Sequence, residues 1–267
     1  MKKIMFAAAV AAAGLAFGVE SANTVGYVSK AGVLGNVWTI VPCQFEATGT
    51  VDIDLNAYVK GDFVKTVSFY DEGWENLAPQ IQIRDPQTGN TTFYYYLKDA
   101  YVEGGNPSEV EGWANYNGDY VDAITVEPGS AFWFRNSADC TLSLAGQVVG
   151  EDTSSLTVYP IWTLIGNAFP QATALNKDIN WTGIDNTVSF YDEGWENLAP
   201  QIQQRAADGT TSFFYYLKDA YVEGGDPSEL EGWANYNGDY VPVTTTLEPG
   251  VGFWFRPTAQ LTIQSVK

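Results

Sequence analysis

The stretch TVSFYDEGWENLAPQIQ occupies Thr66 to Gln82, and the same letters return unchanged at Thr187 to Gln203. Working outward from it, an offset of 120 or 121 residues aligns YYLKDAYVEGG (Tyr95 to Gly105 with Tyr215 to Gly225) and EGWANYNGDYV (Glu111 to Val121 with Glu231 to Val241). Fainter matches flank these blocks: WTIV at Trp38 with WTLI at Trp162, and EPGSAFWFR with EPGVGFWFR. Eight of the nine tryptophans fall into four matched pairs, and Trp181 alone has no counterpart. Self-similarity at one long period marks a duplicated structural unit. The reading is a first unit over residues 23–150 and a second over 151–267, joined by the short polar junction Val149 to Ser155. So short a junction predicts two units stacked in a fixed, pseudo-twofold relation.

Within each unit, short apolar and aromatic runs alternate with Gly, Pro, Asn and Asp, the signature of strands and tight turns. The fold class expected is all-β, mainly antiparallel: two tandem β-sandwich or small-barrel units. Strands are predicted over residues 24–29, 37–43, 64–70, 80–84, 91–97, 120–126, 131–135 and 141–149. PQTGN (residues 86–90) and its counterpart AADG (206–209) read as hairpin turns. One short helical turn per unit is expected in NPSEVEGW and DPSELEGW, with Asn106 or Asp226 as N-cap and proline at the first helical position. The runs FYYYL and AFWFR place aromatics on both faces of a strand. Those strands are therefore either covered twice or carry an exposed aromatic platform.

The first 22 residues read as a signal peptide: Lys2 and Lys3 precede the apolar run IMFAAAVAAAGLAF, with cleavage after Gly18 or after Ala22. The destination implied is the extracellular space or cell surface, or alternatively the periplasm. No later stretch has the apolar length of a membrane helix, so no transmembrane segment is expected. Lys2, Lys3 and Glu20 leave with the leader, so 11 basic and 31 acidic side chains remain. Such a charge makes nucleic acid a poor partner. With 45% hydrophobic and 15% aromatic residues, the chain has ample material for a core. Cys43 and Cys140, an even pair in an exported chain, predict one disulfide within the first unit. Closing that loop would contribute about 4–5 kcal/mol through chain entropy.

The chain has no histidine. That removes His-based nucleophile systems and the usual zinc and iron sites, and no phosphate-binding loop or nucleophile elbow is present. No catalytic residue is assigned, and the chain reads as a non-enzyme. The copied loop YDEGWENLAP gathers Asp71, Glu72 and Glu75 around Trp74, and Asp192, Glu193 and Glu196 around Trp195. This is a candidate contact surface. Trp113 with Tyr116, and Trp233 with Tyr236, form a second one, since such side chains join apolar area to a hydrogen-bonding end. Carbohydrate binding by stacking on Trp74/Trp195 and Trp113/Trp233 is one alternative, and a carboxylate-dependent glycoside hydrolase is another. Asn115, Asn117 and Asp119, with Asn235, Asn237 and Asp239, put oxygen ligands at alternate positions around a glycine. They are candidate calcium ligands, although a tight Asn-Gly-Asp turn explains the same letters and the EF-hand spacing is lacking. No other cofactor is expected.

SANTVGYV, WTIVPCQF or WTLIGNAF, and EPGSAFWFR resemble segments of a broad group of secreted bacterial β-rich repeat proteins. The resemblance covers most of each unit, rests on short structural motifs and carries no catalytic residue with it. It implies an extracellular or cell-surface protein that binds or assembles. The function expected is therefore non-enzymatic binding or extracellular assembly through the duplicated aromatic-acidic loops. The partner would be another extracellular protein, a second copy of the chain, or a polysaccharide.

Overall fold

The computed structural model describes residues 25–45, 53–104, 108–205, 210–222, 228–247 and 250–267. The leader, Asn106, Asp226 and the AADG turn lie outside the described residues. The described chain is all-β and antiparallel. Its first half contains β1 (Val25–Val33), β2 (Thr39–Pro42), β3 (Ile53–Asp54), α1 (Leu55–Tyr58), β4 (Val59–Gly61), α2 (Trp74–Leu77), β5 (Gln80–Arg84) and β6 (Thr91–Val102). It continues with β7 (Ser108–Ala114), β8 (Thr125–Val126), β9 (Ala131–Arg135) and β10 (Cys140–Gln147). The second half contains β11 (Thr153–Val158), β12 (Thr163–Gly166), β13 (Thr173–Ala174), β14 (Ile179–Asn180), α3 (Trp195–Leu198) and β15 (Gln201–Arg205). It ends with β16 (Thr211–Val222), β17 (Ser228–Ala234), β18 (Thr246–Leu247), β19 (Gly252–Arg256) and β20 (Leu261–Val266).

Sheet order repeats from half to half. A five-stranded sheet β2-β9-β5-β6-β7 is answered by β12-β19-β15-β16-β17, a three-stranded sheet β1-β10-β4 by β11-β20-β14, and a two-stranded ribbon β3-β8 by β13-β18. The main core of the first half is sandwich-like. Val41, Ile81, Trp113, Phe132 and Phe134 of the larger sheet meet Val33, Val59, Leu142 and Leu144 of the smaller. In the second half Trp181 packs on Trp233 at 4.9 Å and on Phe255 at 5.3 Å. Phe63 fills that place in the first half, 6.1 Å from Trp113 and 5.9 Å from Phe134. The unmatched tryptophan is thus a core residue, its indole N–H donating to the Leu175 carbonyl at 2.7 Å.

Alternation along β6 answers the question its aromatics pose. Tyr94 and Tyr96 face the core between the sheets, while Tyr95 and Leu97 face a second cluster under the 64–78 loop. The strand is covered on both sides. AFWFR behaves likewise: Phe132 and Phe134 point into the half's own core, and Trp133 points at the other half. There Ile40 and Ala131 meet Leu164, flanked by Trp133 and Trp254. Trp133 and Trp254 are equivalent positions, with ring centroids 6.2 Å apart; Ile40 and Leu164 are equivalent too. Like meets like, as in a twofold interface between two copies.

Three expectations are corrected. Residues 64–70 form no strand, because side chains take their amides: Asn136 Oδ1 accepts from Val64, Asp71 Oδ2 from Ser68 and Asp99 Oδ1 from Phe69, at 2.8–3.1 Å. Ser108–Ala114 is a strand rather than a helical turn, since pairing with β6, bulged between Leu97 and Ala100, overrides the local proline signal. The short helices fall instead on LNAY and on the two WENL segments. Third, Cys43 and Cys140 form no disulfide. Both are buried free thiols in the first core, Cys43 just past β2 of the larger sheet and Cys140 at the start of β10 in the smaller.

Burial pushes the Cys43 thiol up to about 12 and the Cys140 thiol up to about 11, from 9.0. The thiolate is the reactive form, so both should be inert in the native state. We expect a thiol reagent to titrate neither cysteine in the native protein and both in denaturant. Two permanently silent thiols and a mass lighter by two hydrogens would contradict this. The folded pKa values are raised, so the unfolded chain releases these protons first. The contribution of these thiols to stability should be constant below pH 9 and fall from there toward pH 12, with a flatter decline between pH 9 and 10 in Cys43→Ala.

Candidate functional site

The copied stretch 66–82 closes over the outer face of β6 and β7. Val67, Trp74 and Ala78 pack on Tyr95, Leu97, Ala100 and Ala114. Gly73 enters α2 at φ 70, and the Ala78 amide bonds back to the Trp74 carbonyl at 2.8 Å, which turns the indole inward. Trp74 then sits 4.8 Å from Tyr95, 5.1 Å from Phe69 and 6.0 Å from Tyr116. The second copy gives 4.7, 5.1 and 6.0 Å around Trp195. The neighbouring loop is held against it at Gly118. With φ +83 and a prospective Cβ only 2.6 Å from the Phe69 ring, that position takes glycine alone.

Polar groups complete the loop. The Ser68 hydroxyl donates to Asp99, whose other oxygen accepts the Phe69 N–H at 2.9 Å. Ser189, Asp219 and Phe190 repeat this arrangement. Asp71 accepts the Ser68 N–H and Asp192 the Ser189 N–H, each at 2.8 Å. Asp99 and Asp219 are structural residues that the sequence reading missed, because they lie some 30 positions from the loop they organise.

The structure sorts the predicted contact residues into two groups. Trp74 and Trp195 are 7% and 8% exposed, and Trp113 and Trp233 1% and 0%. Their rings are walled by other aromatics, so stacking sugars on Trp74/Trp195 or Trp113/Trp233 is corrected: these indoles are core, not platform. Asp71, Glu72, Asp192 and Glu193 are exposed, Glu75 and Glu196 half-buried, and Tyr116 and Tyr236 are 63% and 60% exposed.

Other aromatics take the outer positions. Tyr70 and Tyr191 are 76% and 74% exposed, and Tyr101/Tyr221 and Leu77/Leu198 also reach solvent in matched pairs. The Tyr70 hydroxyl donates to Glu109 at 3.3 Å, and Tyr191 to Glu229 at 3.4 Å. The facing Glu109 carboxylate raises the Tyr70 pKa, so the hydroxyl stays a donor. The sequence reading passed over Tyr70, although it adjoins Phe69, which turns inward and leaves its neighbour outside.

In the calcium candidates, the Asn115 amide oxygen accepts from the amides of Asn117 and Asp119 at 2.8 and 3.1 Å, and its Nδ2 donates to Asp119 Oδ2 at 3.1 Å. Asn235, Asn237 and Asp239 repeat this closed turn. The tight-turn reading accounts for these residues. Among the described residues no group of three or more Cys, Asp or Glu is arranged to hold a metal ion, and no helix is long and apolar enough to cross a membrane. Comparison with family models, curated proteins and solved structures returns no match to this chain.

Proposed function

We propose that this is a non-enzymatic protein of the extracellular space or cell surface whose two copied tyrosine-carboxylate surfaces mediate binding or assembly. One observation carries the reading: within the copied segments, exposed side chains recur in pairs at similar exposure, Tyr70 with Tyr191, Tyr116 with Tyr236 and Leu77 with Leu198. The cysteine positions drifted between copies, with Asn167 at the place of Cys43, while these positions did not. Tyrosine combines apolar area with a hydrogen-bonding end and is enriched in protein interfaces. Two equivalent surfaces on one chain also permit bivalent engagement, which multiplies a modest single-site affinity. The leader-like first 22 residues support the location. Asp71 serves its own turn and Glu72 stands in solvent. That arrangement suits a contact surface better than an enclosed catalytic pair.

A net charge of −19 sets copies of the chain against one another. Screening shortens that repulsion from a range of about 10 Å at 0.1 M salt to about 3 Å at 1 M. We therefore expect the mature protein to be monomeric at low ionic strength and to assemble as salt or millimolar calcium is added, as read by light scattering and electron microscopy. The quadruple substitution of Tyr70, Tyr116, Tyr191 and Tyr236 by serine should restore monomers. Monomers under every condition would defeat assembly as the function.

A further inference from the structure

Two polar clefts open at equivalent places in the two halves, away from the rings of the copied loops. The first encloses about 210 Å³ and is lined by Asn56, Lys60, Phe63, Lys65, Tyr96 and Glu111. The second encloses about 420 Å³ and is lined by Lys177, Asn180, Trp181, Asn186, Tyr216 and Glu231, among others. One retained pair lines each cleft: the Tyr96 hydroxyl donates to Glu111 at 2.9 Å, and Tyr216 to Glu231 at 3.1 Å. The walls differ while the pair persists. Phe63 is replaced by Trp181 and Lys65, whose ammonium lies 4.9 Å above the Phe63 ring, by Asn186, while Lys177 brings the second cleft a cation from a different position.

We propose that each half binds a neutral, hydroxyl-rich ligand, of the class of a single sugar residue or the end of a sugar chain, at the Tyr96–Glu111 pair and at its copy Tyr216–Glu231. The chemistry of the lining selects this class. Each cleft brings a carboxylate acceptor together with amide, hydroxyl or ammonium donors, and a sugar hydroxyl can both donate and accept. The tyrosine, kept protonated by burial and by Glu111, orients the carboxylate and leaves its second oxygen for the ligand. In the second half the Asn186 amide donates to the second oxygen of Glu231 at 3.1 Å, so a ligand there would share that oxygen with Asn186 through its remaining lone pair. An anion is disfavoured by the charge of the whole chain. A cation is disfavoured by Lys60 and Lys65 in the first cleft and by Lys177 in the second. An apolar ligand would strand the polar lining without partners. The larger second cleft should admit the larger ligand.

The test is saturation-transfer NMR on the full mature chain with glucose, galactose, mannose and N-acetylglucosamine, using glucuronate and glucosamine as charged controls. The expected result is saturation of at least one neutral sugar in preference to both controls, with affinity reduced at least tenfold in Glu111→Ala plus Glu231→Ala. Both glutamates are exposed, so that variant should retain the fold; circular dichroism checks it, and Tyr96→Phe plus Tyr216→Phe provides a second variant that keeps the rings. Tyr70→Ser plus Tyr191→Ser should leave sugar binding unchanged, which separates this inference from the assembly reading. No saturation from any neutral sugar, preference for a charged control, or equal binding by the glutamate variant would overturn it.

Discussion

Replacing Trp113 or Trp233 by alanine is expected to destabilise the protein by about 3–5 kcal/mol each, in the range found for large aromatic deletions from a core. Trp113 lies 5.3 Å from Tyr96 and 6.1 Å from Phe63, and Trp233 5.4 Å from Tyr216 and 4.9 Å from Trp181. Each is almost wholly buried, so deletion leaves a cavity that rigid neighbouring rings cannot collapse into. Phenylalanine at the same positions should cost far less. Both indole nitrogens are buried without a hydrogen-bond partner, so the smaller ring sacrifices no bond and removes an unsatisfied donor. Denaturant unfolding of the four variants checks this. An alanine variant within about 1 kcal/mol of the parent would place these rings outside the core.

Gly166→Val should uncouple the two halves. A Cβ at Gly166 would lie 2.4 Å from the Pro42 side chain of the other half, and one at Gly252 2.5 Å from Ile40 Cγ2. Both glycines sit where the five-stranded sheets approach, beside the Ser130–Ile165 bridge and the hydrogen bond from the Gly166 amide to the Gly129 carbonyl at 2.9 Å. Overpacking of this kind costs about 1–3 kcal/mol. Here the cost falls on the contact between halves, because the ladders of each sheet close within one half. Calorimetry should show one transition in the parent and two in Gly166→Val and in Gly252→Val. A single transition at an unchanged midpoint in both would mean that the halves do not depend on this contact.

The strand reading succeeded where pattern and pairing agree. Gln80–Arg84 and Ala131–Arg135 occur at the expected bounds because each is a central strand with partners on both sides. It failed where side chains capture the backbone. Residues 64–70 have strand-like letters, but Asp99 and Asn136, distant in sequence, take the amides a ladder would need. The cysteines failed for a related reason: an even count and an exported chain say that pairing is permitted, whereas the two sheets place the thiols separately in the core.

Much of this protein was determined by the sequence alone: an all-β class, a duplication and an acidic surface, since strand periodicity, repetition and charge are properties of residue order. Which side of each aromatic run meets solvent was decided only by tertiary structure. Trp74 is the most conspicuous letter of the copied loop and is buried, while its quieter neighbour Tyr70 is outside, because α2 turns the indole onto Tyr95. The clefts at Tyr96–Glu111 and Tyr216–Glu231 were equally unreadable in advance. Their partners sit 15 residues apart on paired strands, and register between strands is set by the closing of the sheet, not by any spacing along the chain.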